Sequence, residues 1–408
     1  MMEMIRRDLY LNQLCDFIDK PFIKVITGIR RSGKSAILLL LKEELLRRGI
    51  EKANIIHINF ESFEFSEIDQ ADKLYELVKN KIAGKQRCYL LLDEVQLVTS
   101  WEKAVNAFVV DFQADIYITG SNSHLLSSEL ATLLAGRYTE LHIHPLSFSE
   151  YLQFKKERTH QEVSDPHHEF EHFLRLGGFP VLHTGEYTLE TAYKVVFDIY
   201  SSAILRDTVQ RYNIRDVELL ERVVKYVFDN VGSKFSAKNV ADYFKSQHRK
   251  IDLNTVYNYL YALEGAFIVF RIPRYDIKGR EILKTFEKYY VGDQSLLYAV
   301  MGYKDRLISG VLENIVMLEL KRRGYRVFIG KSDNREIDFI AELKEKKVYI
   351  QVAYKMAEQT TIDREFTPLL EVKDHHPKYV VTMDETWQDN VEGIQHKHIA
   401  DFLLMKEF

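Results

Sequence analysis

Phe22-Ile23-Lys24-Val25-Ile26-Thr27-Gly28-Ile29-Arg30-Arg31-Ser32-Gly33-Lys34-Ser35-Ala36 decides the fold of this chain. The apolar run over 22–26 reads as a buried strand, and the stretch over 36–48 reads as a helix. Between them Gly28 and Gly33 stand in the spacing G-x-x-x-x-G-K-S. A strand, a glycine loop and a helix are the context in which that spacing forms a phosphate-binding P-loop. The two glycines let the backbone curl, so that successive N–H groups across Gly28, Ile29, Arg30, Arg31, Ser32, Gly33, Lys34, Ser35 and Ala36 face a phosphate chain. The helix N-terminus adds its partial positive charge. Lys34 is placed to reach the β- and γ-phosphates, and the Ser35 hydroxyl to hold Mg²⁺. The alternative is a glycine-bearing βα turn that binds nothing.

Outward from this stretch, strands and helices alternate. Helices are expected over 8–18, 71–82, 101–112 and 125–134, and strands over 55–61, 88–94, 115–121 and 138–144. Such alternation predicts a parallel sheet with helices on both faces, an α/β fold. Ligands of these sheets bind beyond the carboxyl ends of the strands. Asp93 and Glu94 stand at one such end, after Leu91-Leu92, as a Walker B element. Asp93 would hold Mg²⁺ and Glu94 would polarise the attacking water as general base; the alternative is a strand that simply ends in two solvated acids. Thr119-Gly120-Ser121-Asn122-Ser123 follows the next strand, where Asn122 could sense the γ-phosphate; the same residues also suit a helix N-cap. Arg137 could stabilise transition-state charge, in cis or from a neighbour in an oligomer, or be a surface arginine at a strand start.

The whole chain of 408 residues carries a net charge of −4 with acids and bases mixed, which is not the balance of a protein that coats nucleic acid and leaves room for a local basic face. Its two cysteines, Cys15 and Cys88, lie in different elements and fit a reducing compartment. No apolar run approaches the ~20 residues of a membrane span. The expectation is a cytoplasmic protein with no membrane partner. No internal repeat or low-complexity segment is visible.

Taken in order, Gly28 to Ser35, Leu92-Asp93-Glu94, Ile118-Thr119-Gly120-Ser121, Leu134-Ala135-Gly136-Arg137-Tyr138 and Pro145-Leu146-Ser147-Phe148-Ser149-Glu150-Tyr151 carry a resemblance. Leu176-Gly177-Gly178-Phe179-Pro180, the Ile204-Leu205-Arg206-Asp207 helix, Tyr289-Tyr290-Val291-Gly292-Asp293, Leu312-Glu313-Asn314 and Glu336-Ile337-Asp338-Phe339 extend it over nearly the whole chain. The sequence resembles the AAA-like bacterial and archaeal P-loop ATPases with a C-terminal domain of unknown function. That resemblance implies an ATPase core using ATP and Mg²⁺, a winged-helix-like middle and a nuclease-like C-terminal fold. The choice of ATP over GTP rests on it alone. The domains expected are a P-loop ATPase domain over 1–150, a helical lid or linker over 151–212, a winged-helix-like domain over 213–284, and a restriction-endonuclease-like α/β domain over 285–408.

Within the middle region, polar helices over 150–175 are interrupted at Pro166, and a long helix runs over 187–212. Helices over 217–230, 237–244 and 253–263, then a strand over 267–271 and a basic, turn-rich loop over 273–280, follow winged-helix order. Asn254, Tyr257 and Asn258 could reach base edges, and His248-Arg249-Lys250 phosphates; winged helices also serve as protein contacts. In the last third, Glu313 on a helix and Asp338 on a strand match two positions of a metal-dependent nuclease site. The third acid position is held by Gln351, which carries no charge for a cation, and Ala353 stands where the lysine two residues on is expected. Lys355 shares the strand face of Gln351. The expected outcome is a retained fold with its cutting activity lost. The histidine pairs His142/His144, His167/His168, His375/His376 and His396/His398 have no Cys or acidic partner at zinc-site spacing.

These readings converge on an ATPase that couples hydrolysis to movement of its C-terminal domains, with DNA or a protein as partner. The alternatives are a nucleotide-gated interaction switch with little turnover, and an ATP-dependent nuclease.

Overall fold

The structure is a computed structural model that describes residues 4–122, 136–248, 251–279, 281–332, 335–356, 358–385 and 390–408. The chain divides into two compact units, at 143/144. The helix expected over 125–134, and Ser123, Arg249 and Lys250, lie outside the described residues.

In the first unit the described strands are β1 (Ile23–Thr27), β2 (Ile55–Asn59), β3 (Cys88–Asp93), β4 (Ala114–Gly120) and β5 (Tyr138–His142). They lie in the order β2-β3-β4-β1-β5, and every pairing is parallel. Period-two alternation sends the strand residues to two cores. Val25, Ile58, Leu90, Leu92 and Ile118 pack under helices α3 (Ala71–Ile82) and α4 (Trp101–Asp111). Ile26, Ile55, Tyr89, Leu91 and Tyr117 pack under α1 (Asp8–Cys15) and α2 (Lys34–Arg47). The result is the α/β/α layering that the alternation predicts. Lys24 stays inside an otherwise apolar strand because Asp115 of β4 and the carbonyl of Lys20, at 2.9 Å, take its ammonium.

Within the second unit, helices come first: Phe148–Thr159, Pro166–Leu176 and Leu189–Asp198. Pro166 starts the second of these, behind the Asp165 cap, where its missing N–H costs nothing. The single helix expected over 187–212 is two α segments, Leu189–Asp198 and Arg206–Arg211, joined by a π-helical stretch over 199–205. Helices Val217–Asp229, Ala237–Ser246 and Leu253–Gly265 then precede the strand pair β6 (Val269–Asp276) and β7 (Glu281–Val291). Pro273 does not end β6 as the sequence implies; it sits at a register shift between Ile272 and Arg274, a bulge that dispenses with its N–H.

Strands β8 (Arg326–Ser332), β9 (Arg335–Leu343), β10 (Lys346–Val352), β11 (Lys378–Thr382), β12 (Asn390–Val391) and β13 (Ile394–His398) follow. Among the described residues β6 to β13 form one mixed sheet, ordered β12-β13-β11-β10-β9-β8-β6-β7. The hairpin in the wing position is thus the edge of this sheet, and β7 runs across the boundary expected at 284/285.

Several motif residues in this unit satisfy the backbone. Ser147 Oγ accepts from Glu150 N at 3.0 Å, and Glu150 Oε2 accepts from Ser147 N at 2.9 Å, a reciprocal capping box. Gly178 N donates to buried Asp293 at 2.7 Å, and a Cβ on Gly177 would lie 2.2 Å from the same carboxylate. Asn314 Oδ1 accepts from Val291 N at 2.6 Å.

Burial holds the His183 imidazole down, to about 4 from an ordinary 6.5, while its Nε2–H donates to Gly177 O at 2.8 Å. The unfolded chain therefore protonates first, and the contribution present above pH 6.5 is lost as pH falls towards 4. At about 1.4 kcal/mol per unit the loss is roughly 3 kcal/mol. The second unit of His183→Gln should lose less stability than wild type between those pH values in urea unfolding; equal losses would show that His183 is not the acid-sensitive group.

Candidate nucleotide site

β1 ends at Thr27, and the chain turns at once at Gly28, with φ +147°. A Cβ there would lie 2.2 Å from Ile143 O, so only glycine fits. Ser32 N closes a turn on Ile29 O at 3.1 Å, and Gly33, with φ +101°, opens α2 from the left-handed region. The buried Arg7 guanidinium, from before α1, holds the Ser32 carbonyl at 2.8 Å. Nothing in its sequence surroundings marks Arg7 for that task.

Lys34 is the first residue of α2 and is 4 % exposed. Its ammonium folds back on the loop's own carbonyls, Gly28 O at 3.1 Å and Ile29 O at 3.4 Å, with Glu94 Oε1 3.7 Å away. Burial lowers the lysine's pKa, and the charges of Glu94 and Asp93 oppose that shift. Ser35 and Ala36 continue the helix half-buried. Arg31 is exposed, and Arg30 turns to Glu61 at 2.6 Å.

The register Asn59↔Asp93 and Leu92↔Ile118 sets the end of β3 between β2 and β4. Asp93 is fully buried; its Oδ1 accepts the Thr119 hydroxyl, and its Oδ2 has no hydrogen-bond partner among the described residues. Glu94 takes left-handed φ +55°, and its N–H donates to Thr119 Oγ1 at 2.8 Å. Gln96 Nε2 donates to Glu94 Oε2. One hydroxyl, Thr119, therefore positions both acids. The sequence marks its neighbours Ser121 and Asn122 instead, because cross-strand bonding appears only with the register. Gly120 lies opposite Thr27, so buried Ser121 and Asn122 follow directly beside the loop.

Gly28 to Ala36, Asp93, Glu94 and Asn122 thus gather at the carboxyl edge of the sheet. Arg137 does not join them. It is exposed, and its carbonyl accepts from Ile23 N at 2.8 Å, at the amino end of β1. The length of that five-residue strand, about 13 Å between its end residues, separates it from the loop. An arginine acting in cis is therefore not what this geometry provides.

In the second unit Glu313, Asp338 and Gln351 line one cleft, and Lys355 is exposed. Asn254, Tyr257 and Asn258 lie exposed on helix Leu253–Gly265. The fold also supplies an acidic partner that spacing hides from the histidines: His167, His398 and Asp401 place ligand-type atoms within 4.8 Å of one another. Both rings are already engaged. His398 Nδ1 accepts from Ala400 N at 3.2 Å, His167 Nε2 meets Asp401 at 3.1 Å, and the rings stack at 3.7 Å. Among the described residues no helix is long and apolar enough to cross a membrane.

Residues 20–152 match the model of a family described as an AAA domain, and residues 167–307 match a domain of unknown function (DUF8612). An uncharacterised protein of Haemophilus influenzae is 40% identical over 403 residues, covering 98% of this chain and 99% of that one. An uncharacterised protein of Methanocaldococcus jannaschii is 34% identical over 356 residues, covering 84% of this chain and 77% of that one. The solved structure of a Walker-type ATPase of Pyrococcus abyssi is similar with a TM-score of 0.52 at 15% identity, over 72% of this chain and 95% of that chain; the likeness is one of fold.

Thr119→Val removes the hydroxyl that serves both acids and leaves the Glu94 amide buried without its acceptor, at a cost of about 1–3 kcal/mol. Urea unfolding of the first unit should register that loss, and Thr119→Ser should restore most of it. A valine variant as stable as wild type would mean the hydroxyl bears no weight.

Proposed function

The chain belongs to the family of AAA-type P-loop ATPases with a C-terminal domain of unknown function, and we propose that it binds ATP with Mg²⁺ and hydrolyses it. The observation that carries this reading is Asp93 Oδ2, a fully buried carboxylate oxygen with no partner among the described residues, close to a lysine whose ammonium rests on loop carbonyls and faces Glu94. A buried polar atom left unanswered is costly, and a bound ion is one way to answer it. Asp93 and the Ser35 hydroxyl suit Mg²⁺ in chemistry, both being hard oxygen donors at the mouth of the loop. Bound there, Mg²⁺ would neutralise charge on the phosphate oxygens.

The loop amides from Gly28 onward hold the phosphate chain, and the α2 N-terminus faces it. Lys34 exchanges its carbonyl contacts for phosphate oxygens. That exchange turns the ammonium from Glu94 to the phosphate and leaves the Glu94 carboxylate to the attacking water. Gln96 and the Thr119–amide bond keep the Glu94 side chain oriented while it takes a proton from water. Asn122, buried beside the loop, is proposed as a polar contact to the γ-phosphate or the water. Arg137 is proposed only as a group offered to a neighbouring copy.

The hydrolytic cycle is proposed to drive movement of the C-terminal region. A second reading, a nucleotide-gated switch that recruits a protein, draws on helix Leu253–Gly265. Its exposed Leu253, Tyr257 and Tyr261 recur every four residues as an apolar stripe, where a phosphate-binding face would be basic.

Lys34→Ala should abolish nucleotide binding, whereas Glu94→Gln should keep ATP bound and lower turnover about 10²–10⁴-fold. Steady-state hydrolysis and nucleotide binding, each with and without duplex DNA, distinguish the readings. Turnover accelerated by DNA supports action on DNA, and turnover indifferent to it points to a protein partner. ATP binding without turnover in wild type supports the switch. Full turnover in Glu94→Gln would remove Glu94 from the role of base.

A further inference from the structure

The nuclease-like resemblance implies a divalent cation between Glu313 and Asp338, and the residues present do not fit one. A cation site needs carboxylate oxygens that converge on open space. Here they converge on Lys288 of β7, which the sequence reading does not single out. Its Nζ lies 3.1 Å from Glu313 Oε2, 3.1 Å from Glu336 Oε1 and 3.3 Å from Asp338 Oδ1. Three carboxylates thus surround one ammonium, and two of them, Glu313 and Asp338, accept its hydrogen bonds. The lysine is 3 % exposed, so it is built into the cluster and does not drift over it.

Asp338, Glu313 and Gln351 are bonded further within the chain. Asp338 Oδ2 accepts from Val352 N at 3.0 Å. Tyr290 OH donates to Glu313 Oε2 at 2.8 Å. Gln351 turns its carbonyl to Asp338 N at 3.2 Å and its amide to Glu365 Oε2 at 2.8 Å, so it links two acids without adding charge. Glu336 Oε2 accepts no hydrogen bond among the described residues, and the Lys234 ammonium lies 3.3 Å from it.

Lys288 is also held in place from its own strand. Gly232 N donates to Tyr289 O at 3.2 Å and Phe235 N to Glu287 O at 2.9 Å, so the turn after helix Val217–Asp229 clasps β7 on both sides of the lysine. A Cβ on Gly232 would lie 2.9 Å from Glu313 Oε2, which leaves that carboxylate little room to swing. Burial alone would lower the lysine's pKa, but the surrounding acids raise it well above its ordinary value, so the amine stays charged. Glu313 is pushed by burial up to about 8, with Lys288 pulling the other way.

We propose that Lys288 is a built-in cation occupying the position of the divalent metal, and that removing its amine turns the acid cluster into a divalent-cation site. The cleft above it, about 730 Å³ and lined by Glu313, Glu336, Asp338 and Glu365, gives an ion access once the amine is gone. This account is independent of the nucleotide reading, since its residues and its test need no nucleotide.

The test is Mn²⁺ titration of the nucleotide-free full chain, followed by the electron paramagnetic resonance signal of free Mn²⁺. Wild type and Asp338→Asn should bind equal numbers of Mn²⁺. Lys288→Met should bind one more per chain than wild type, and Lys288→Met with Asp338→Asn should lose it. The melting midpoint of Lys288→Met should rise with Mn²⁺ where that of wild type does not. Wild type binding one Mn²⁺ more than Asp338→Asn would overturn the proposal, because lysine and metal would then share the site. A folded Lys288→Met with no added Mn²⁺ would overturn it too. Should Lys288→Met not fold, the wild-type comparison with Asp338→Asn still decides whether the metal is excluded.

Discussion

A Cβ on residue 28 would lie 2.2 Å from the carbonyl oxygen of Ile143, and the polar chemistry of the first unit follows from that close approach. Ile143 N in turn donates to Thr27 O at 2.7 Å, so the chain leaving β5 runs directly beside the start of the loop. With no side chain in the way, the backbone can curl within the following six residues and deliver Lys34 to the first position of α2. Lys34 then rests its ammonium on the loop's carbonyls, near Glu94. A larger residue at position 28 would not merely strain a turn. It would lift the loop from β5 and move the charge that the site is built around.

Strain appears where the acids are placed. Glu94 sits in the left-handed region, which costs a non-glycine residue of order 1–3 kcal/mol, and its amide is tied to Thr119. Without that tie the residue after Asp93 would continue the extended strand, and the two carboxylates would point to opposite faces of the sheet. The strain converts neighbours in sequence into two acids at one sheet edge, one buried against Thr119 and the other facing Lys34.

What was legible in the sequence is what local rules specify. Glycine spacing, apolar strands and their alternation with helices announce the layered sheet, and Asp93-Glu94 at a strand end announces the second element of the site. Contacts set by register or by distant segments are not written locally. Thr119 reaches Asp93 because β3 and β4 are neighbours, Arg7 reaches Ser32 across 25 residues, and His167 meets Asp401 across 234. Arg137 follows a plausible motif, yet its strand begins at the wrong end of the sheet for its own loop. Pro273 looked like a strand breaker because a bulge that excuses its N–H shows only in the pairing of β6 with β7.

Two aspartates show how chemistry separates from architecture in this molecule. Asp93 and Asp338 are both buried strand carboxylates, and both belong to motifs that suggest a metal. Asp338 is fully answered by the chain, one oxygen by Lys288 and the other by the Val352 amide. Asp93 is answered on one oxygen only. The same contrast runs through the neighbouring motifs. Gly177 and Gly178 make room for Asp293, and Ser147 and Glu150 cap a helix, each answered within the chain. A buried polar atom that the fold itself satisfies stabilises the fold; one that the fold leaves waiting is a liability unless something binds. By that measure Asp93 is open to a ligand, while Asp338 is answered by a lysine and a backbone amide of its own unit.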